Sequence, residues 1–173
     1  MSNQSSSDFR ERTTRQMARV NAILHHPDYQ QWIMDINEAE TGREFCRHGL
    51  EHAFDVARIA YEIWLDSGGN PVAKDIIYAA ALLHDVGRWC SYENENVDHA
   101  AASAALAEEL LTEIGYHPEV VKAIVEAIRQ HRKPSEDGLA RVLYEADKLS
   151  RPCYFCPAAP KCNWVVKNQY LLY

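Results

Sequence analysis

The sequence predicts an all-α protein, a single-domain helical bundle with short connections. Three observations predict it. Apolar residues recur at three- and four-residue spacing through nearly every segment, as a helix with one buried face requires. No segment alternates apolar and polar residues between turn signals, as a half-buried strand would. Proline, glycine, asparagine and aspartate fall where helices start or stop. At 173 residues the chain is long enough for one sizeable core.

The polar, serine-rich start "MSNQSSSD" makes residues 1–12 an expected disordered segment, and the helical domain is expected over 13–151. Met17, Val20 and Leu24 share one face of a first helix. Pro27 sits in the first turn of a second, which carries Trp32, Ile33 and Ile36. A third runs from about Gly49 to Ser67, with Phe54, Val56, Ile59, Ala60 and Ile63 on one side, and "SGGNP" stops it. Asn70 caps the next, with Pro71 at its first position, and this helix ends at His84-Asp85-Val86-Gly87. The stretch "CSYENENV" reads as a polar loop leading to Asp98, the cap of an alanine-rich helix over 99–114 that Gly115 closes. Pro118 opens "PEVVKAIVEAIRQH", and the loop "RKPSEDG" follows. The last long helix, about Leu139–Ser150, carries Val142, Leu143, Ala146 and Leu149. Pro152 breaks it, leaving 152–173 as a cysteine-bearing segment packed on the same domain.

Composition narrows the function. With 47% hydrophobic and 25% charged residues the chain is of soluble globular type. Its longest apolar run, "IIYAAALL", is too short to span a bilayer. No basic segment followed by an apolar one opens it, so the expected location is cytoplasmic. A net charge of −7 argues against nucleic-acid polymers and anionic membranes as partners. A phosphorylated substrate would need a local source of positive charge, and a metal ion supplies one. Five cysteines without an export signal do not form a disulfide framework.

The candidate chemistry lies in the histidines and two aspartates. His25, His26 and His117 precede or flank prolines at helix starts, where capping explains them. His48 and His52 lie four apart, as on one helical face. His99 follows the cap Asp98, and His131 ends its helix, where an imidazolium would complement the dipole. Asp147, in "LYEADKLS", sits on or beside a buried stripe, and a carboxylate there needs a partner or a cation. Taken together, His52, His84, Asp85, His99, His131 and Asp147 occupy five successive helical segments. Inward-pointing imidazoles and carboxylates on facing helices are how a bundle builds a metal site, and this donor set suits Mn, Fe or Zn.

The stretches "HAFDVARIA", "ALLHDVG", "DHAAASAALAEELL", "IRQH" and "EADKL" resemble the HD-domain superfamily of metal-dependent phosphohydrolases over about residues 45–150. The resemblance implies a helical bundle of the HD type. It also implies a first divalent ion held by His52, His84, Asp85 and Asp147, and a second held with His99 and His131, Asp85 bridging. It implies a metal-activated hydroxide attacking a small phosphorylated molecule, a phosphomonoester or phosphodiester of nucleotide type. Asp85 is then catalytic, and Arg88 and Lys148 are candidates to hold phosphate oxygens, with Arg132 and Lys133 behind them. His48 is a candidate to orient a ligand or touch substrate. Arg88 stands where some single-metal HD nucleotidases carry a glutamate. The Glu-Asp of guanosine tetraphosphate hydrolases and the GYP motif of cyclic-dinucleotide phosphodiesterases are absent. Two alternatives accompany this reading: an HD-type di-iron oxygenase using the same six ligands, and a non-catalytic nucleotide-sensing module.

The tail "CYFCPAAPKC" places Cys153, Cys156 and Cys162 as a candidate structural metal site, a zinc knuckle or an iron–sulfur site, with Cys90 or Cys46 as the fourth ligand through the fold.

Overall fold

The computed structural model describes residues 17–163. The segment 1–12, expected to be disordered, and residues 164–173 of the tail lie outside the described residues. Among these are eight α-helices and no strand: α1 Ala18–His25, α2 Pro27–Ala39, α3 Leu50–Asp66, α4 Lys74–Leu83, α5 Arg88–Glu93, α6 His99–Ile114, α7 Pro118–Gln130 and α8 Gly138–Leu149, with single 3₁₀ turns at Pro71–Ala73 and Cys153–Phe155. None is long and apolar enough to cross a membrane.

Helix α4 forms the axis of the bundle, packed by α1, α3, α6, α7 and α8. Its sequence explains the position. Ala79, Ala80 and Ala81 are fully buried beside Ile77, Leu82 and Leu83, and three methyl side chains in succession let neighbouring helices approach from every side. Around it the other helices turn single stripes inward, such as Val121, Ile124, Val125 and Ile128 of α7. Each such side chain contributes roughly 1.5–3 kcal/mol on burial. The one acid buried within α4, Asp75, lies in its first turn, where the helix dipole favours it, and pairs with Arg19 of α1 at 2.6 Å.

The helix ends follow the punctuation. His26 and His117 cap α2 and α7, each accepting at Nδ1 from the backbone N–H two residues on, Asp28 at 3.3 Å and Glu119 at 3.4 Å. Gly115, at φ 86°, closes α6 in a Schellman turn, with Tyr116 N donating to Leu111 O at 3.0 Å.

Three expectations need correction. Residues 88–93 form α5, which takes in Cys90–Glu93, the first half of the expected loop. None of its residues is fully buried, so it carries no apolar stripe to read. It is held by Ser91 Oγ donating to Arg88 O and by Arg88 Nε donating to Tyr92 Oη one turn on. Asn70 and Pro71 open a 3₁₀ turn that runs into α4, and do not cap the α-helix directly. His48 precedes α3, so it does not share a helical face with His52. Its backbone N–H is bound by the Glu40 carboxylate at 2.7 Å, outside any helical ladder.

The alternating path of the chain brings the starts of α3 and α6 and the ends of α4, α7 and α8 to one pole. Gly87 is the point of closest approach there. A Cβ on it would collide with the backbone of Ala102 and Ser103 in α6, and its N–H donates to Ser103 Oγ at 2.9 Å. Both groups are buried. Ser103→Ala strands that N–H and is expected to lower stability by about 1–3 kcal/mol in urea unfolding. Gly87→Ala is expected to cost more and to displace the turn that carries Asp85.

Candidate metal centre

Two of the histidines use one local device. His84 and His131 each follow the last residue of a helix, α4 and α7, with helical backbone angles. Each ring donates its Nδ1–H to the carbonyl three residues back, His84 to Ala81 and His131 to Ile128, both at 2.6 Å. The final carbonyls of a helix lack intrahelical donors, so the ring caps the helix while its tautomer is fixed. Nε2 is left as a lone pair pointing off the helix end.

His52, in the first turn of α3, is aimed from α8. Ser150 Oγ donates to Asp147 O at 2.9 Å, so it accepts from His52 Nδ1 at 3.3 Å. His52 Nε2 then faces Asp147 Oδ1 at 3.4 Å. His99 opens α6 directly after Asp98, which caps that helix by accepting from Ala100 N at 2.9 Å.

Asp85 stands between these groups. Its Oδ2 lies 3.5 Å from His84 Nε2 and 3.9 Å from His52 Nε2, and its Oδ1 lies 3.4 Å from His99 Nε2 and 3.6 Å from His131 Nε2. The structure therefore brings all six predicted residues together. The donor atoms form two groups, His52 with His84 and Asp147, and Asp85 with His99 and His131, each within 4.8 Å internally. The two oxygens of Asp85 face one group apiece.

The donor set suits a divalent cation. The Nε2 atoms of His52 and His84 are buried without any hydrogen-bond partner, a condition that costs stability unless something accepts the lone pairs. Burial pushes both His84 and His99 down to about 4, so both are neutral, ligand-ready imidazoles at neutral pH. Burial pushes Asp85 up, but the imidazoles of His84 and His131 and the Arg88 guanidinium outweigh it and hold the carboxyl well below its usual range. In the second group a positive charge is already shared: Arg88 Nη1 lies 3.3 Å from Asp85 Oδ1 and donates to His99 Nε2 at 3.2 Å. These residues could hold one or two divalent ions.

Several residues of the site carry no motif in the sequence. Glu40, 2% exposed, binds His48 through both oxygens, accepts from Tyr92 Oη, and lies 3.8 Å from Arg88 Nε. Burial pushes its carboxyl up, yet the hydrogen bonds from His48 and Tyr92 pull it down to about 2. Tyr92 in turn accepts from Arg88 Nε at 3.1 Å, so Glu40, Tyr92 and Arg88 form one chain ending at Asp85. The detectable signal was position: an acid at the end of α2 opposes the helix dipole. Arg151, four residues after Asp147, reaches its Oδ2 at 3.6 Å, and Lys148 donates to the same oxygen.

Above these histidines and aspartates opens a pocket of about 340 Å³ bordered by Arg43, Arg88, Arg132, Lys148 and Arg151. Lys133 is exposed beside it, outside its wall. Cys153, Cys156 and Cys162 lie at the same pole with free thiols, in a neighbouring cleft.

The sequence model of the HD domain matches residues 49–151. A Clostridium beijerinckii protein named as uncharacterized is 39% identical over 150 residues, 86% of this chain and 93% of the relative. The Bacillus subtilis protein named "Putative phosphohydrolase YueE" is 30% identical over 134 residues, 68% of this chain and 74% of its own length. A crystal structure titled as a predicted HD superfamily hydrolase, from an uncultured Thermotogales bacterium, superposes with a TM-score of 0.53 at 31% identity, covering 69% of this chain and 66% of that one. With the matched span containing all six convergent histidines and aspartates, the chain belongs to the HD-domain family.

Proposed function

We propose that the protein is a metal-dependent phosphohydrolase acting on a small phosphoester of nucleotide type. One observation carries this reading. In a chain of net charge −7, five cationic side chains converge on the pocket into which the His/Asp groups open. Such a pocket concentrates a phosphorylated molecule locally while the rest of the surface repels polyanions. The likeness to a relative named for phosphohydrolase activity and to an HD hydrolase structure supports it. Phe45, exposed where this pocket meets the neighbouring cleft, offers a ring face to a nucleobase.

Divalent ions held by His52, His84, Asp85, His99, His131 and Asp147 would supply Lewis acidity, acidifying water and polarising phosphate oxygens. The chain's own groups do the rest. His84 and His131 keep their Nε2 lone pairs aimed inward because their Nδ1 atoms are bound to helix carbonyls. Arg88 presents its guanidinium to phosphate oxygens, aimed by Tyr92 and Glu40. Lys148 orients Asp147 and adds charge to the pocket wall.

An Asp85→Ala variant is expected to lose bound metal, measured by elemental analysis, together with phosphate release from nucleotide phosphoesters supplied with Mn²⁺ or Fe²⁺. Retention of both metal and rate would overturn the assignment, as would turnover that consumes oxygen and releases no phosphate. Arg88→Ala is expected to keep its metal and lose roughly ten- to a hundredfold in kcat/KM, the worth of a charge-assisted hydrogen bond. Glu40→Gln is expected to lower stability by about 1–3 kcal/mol. Because the folded-state pKa is depressed, the difference from wild type should be full above pH 4.5 and vanish as pH falls towards about 2. Urea unfolding at several pH values checks this.

A further inference from the structure

The histidine–aspartate centre leaves the tail cysteines unused. Cys153, Cys156 and Cys162 share one cleft, of about 720 Å³, with a fourth cysteine from far along the chain, Cys46. All four are half-buried and none is in a disulfide. The Cys46 thiol lies within electrostatic reach of each of the other three. Cys90, on α5, does not border this cleft.

Two irregular segments are folded to bring them there. Cys46 sits in the stretch between α2 and α3, where Arg43 Nε donates to the Cys46 carbonyl at 2.9 Å. Opposite, the chain winds through successive turns, with Cys156 N donating to Cys153 O, Ala159 N to Cys156 O and Cys162 N to Ala159 O. Lys161 crosses to Glu44 at 2.7 Å, joining the two segments. Apolar packing does not account for this arrangement. Across 151–163 the only fully buried residue is Ala158, while Phe155 is 87% exposed. A segment with so little core needs a covalent or metal staple to hold one conformation.

The thiols as they stand are too far apart for one ion to hold three of them. A single zinc ion, with Zn–S about 2.3 Å in a tetrahedron, draws its sulfurs to within roughly 4 Å of one another. Among the described residues no three cysteine sulfurs lie within 4.8 Å of one another. An iron–sulfur cubane gives each thiolate its own iron and so accommodates a wider set of four. Arg151, whose charge acts on Cys46, supplies a cation beside the negative charge that four thiolates carry. We propose that Cys46, Cys153, Cys156 and Cys162 hold a [4Fe–4S] cluster, rather than the zinc ion suggested by the tail alone, and that it fastens the C-terminal segment to the loop before α3.

The test is anaerobic purification of the full chain, followed by incubation with ferrous iron and sulfide. The result expected is about four acid-labile sulfides per chain and a broad visible charge-transfer band. Sulfide distinguishes this site from iron at the histidine–aspartate centre, and an Asp85→Asn variant should retain it. Cys46→Ser should lose most of the sulfide and the band while keeping wild-type helical circular dichroism. Should Cys46→Ser unfold, alkylation of the wild-type thiols decides: the cluster protects four cysteines together, and iron chelation exposes them together. One zinc per chain without labile sulfide, or a sulfide content unchanged in folded Cys46→Ser, would overturn the proposal.

Discussion

The pole of the bundle is organised by one buried carboxylate. Asp85 is 6% exposed, faces four imidazoles and is held ionised. A buried charge is tolerated only when paired or bound to a metal, and the surrounding geometry follows from that. Imidazoles that donate away from the carboxylate, to Ala81 O and Ile128 O, turn lone pairs towards it. Such a ring of acceptors is stable only around positive charge. Arg88 provides part of it through one oxygen of Asp85. The other oxygen faces His84 and His52, whose Nε2 atoms have no hydrogen-bond partner. The arrangement is therefore poorly suited to a protein core and well suited to cation binding.

Net charge and local charge point in opposite directions. Glu108, Glu109, Glu113, Glu119 and Glu126 lie exposed along the outer faces of α6 and α7, where screening weakens them. At the pole, five cations border one pocket, and its low-dielectric walls strengthen their effect. An acidic chain can thereby exclude polyanions from most of its surface and still receive a small anion at one place.

Most of the architecture was legible because its signals are periodic. The stripes of α3, α7 and α8, with the proline that opens α7 and the glycine after α6, placed α3, α6, α7 and α8 to within a residue or two, and Pro27 placed the start of α2. The six convergent residues were legible because their order along the chain follows the order of helix ends. What escaped has physical causes. A six-residue helix without a buried stripe has no period to detect, so α5 read as a loop. The four-residue spacing of His48 and His52 implied one helical face, but helix geometry begins only at Leu50. Glu40, Tyr92 and Ser150 act through tertiary partners up to 98 residues away, and apart from the unfavourable place of Glu40 at a helix end no local pattern marks them. Cys46 and Cys90 stood as equal candidates beside the tail cysteines, and only the closed chain puts Cys46 in their cleft and leaves Cys90 outside it.

The end of α8 connects these features. Asp147, Ser150 and Arg151 are spaced three and four apart, so successive positions at one helix end serve different neighbours. Asp147 faces His52, Ser150 fixes the His52 ring, and Arg151 reaches the Asp147 carboxylate while its charge acts on Cys46. A helix terminus with solvent beyond it frays, because its last carbonyls lack donors. Here the chain beyond Pro152 turns back and is tied to Glu44, on the segment that leads into α3 and hence to His52. The tail thus contacts the approaches to α3 and α8, two of the three helices whose ends carry the first group of donor atoms. An irregular, thinly packed segment can do this because it meets two helix ends at once.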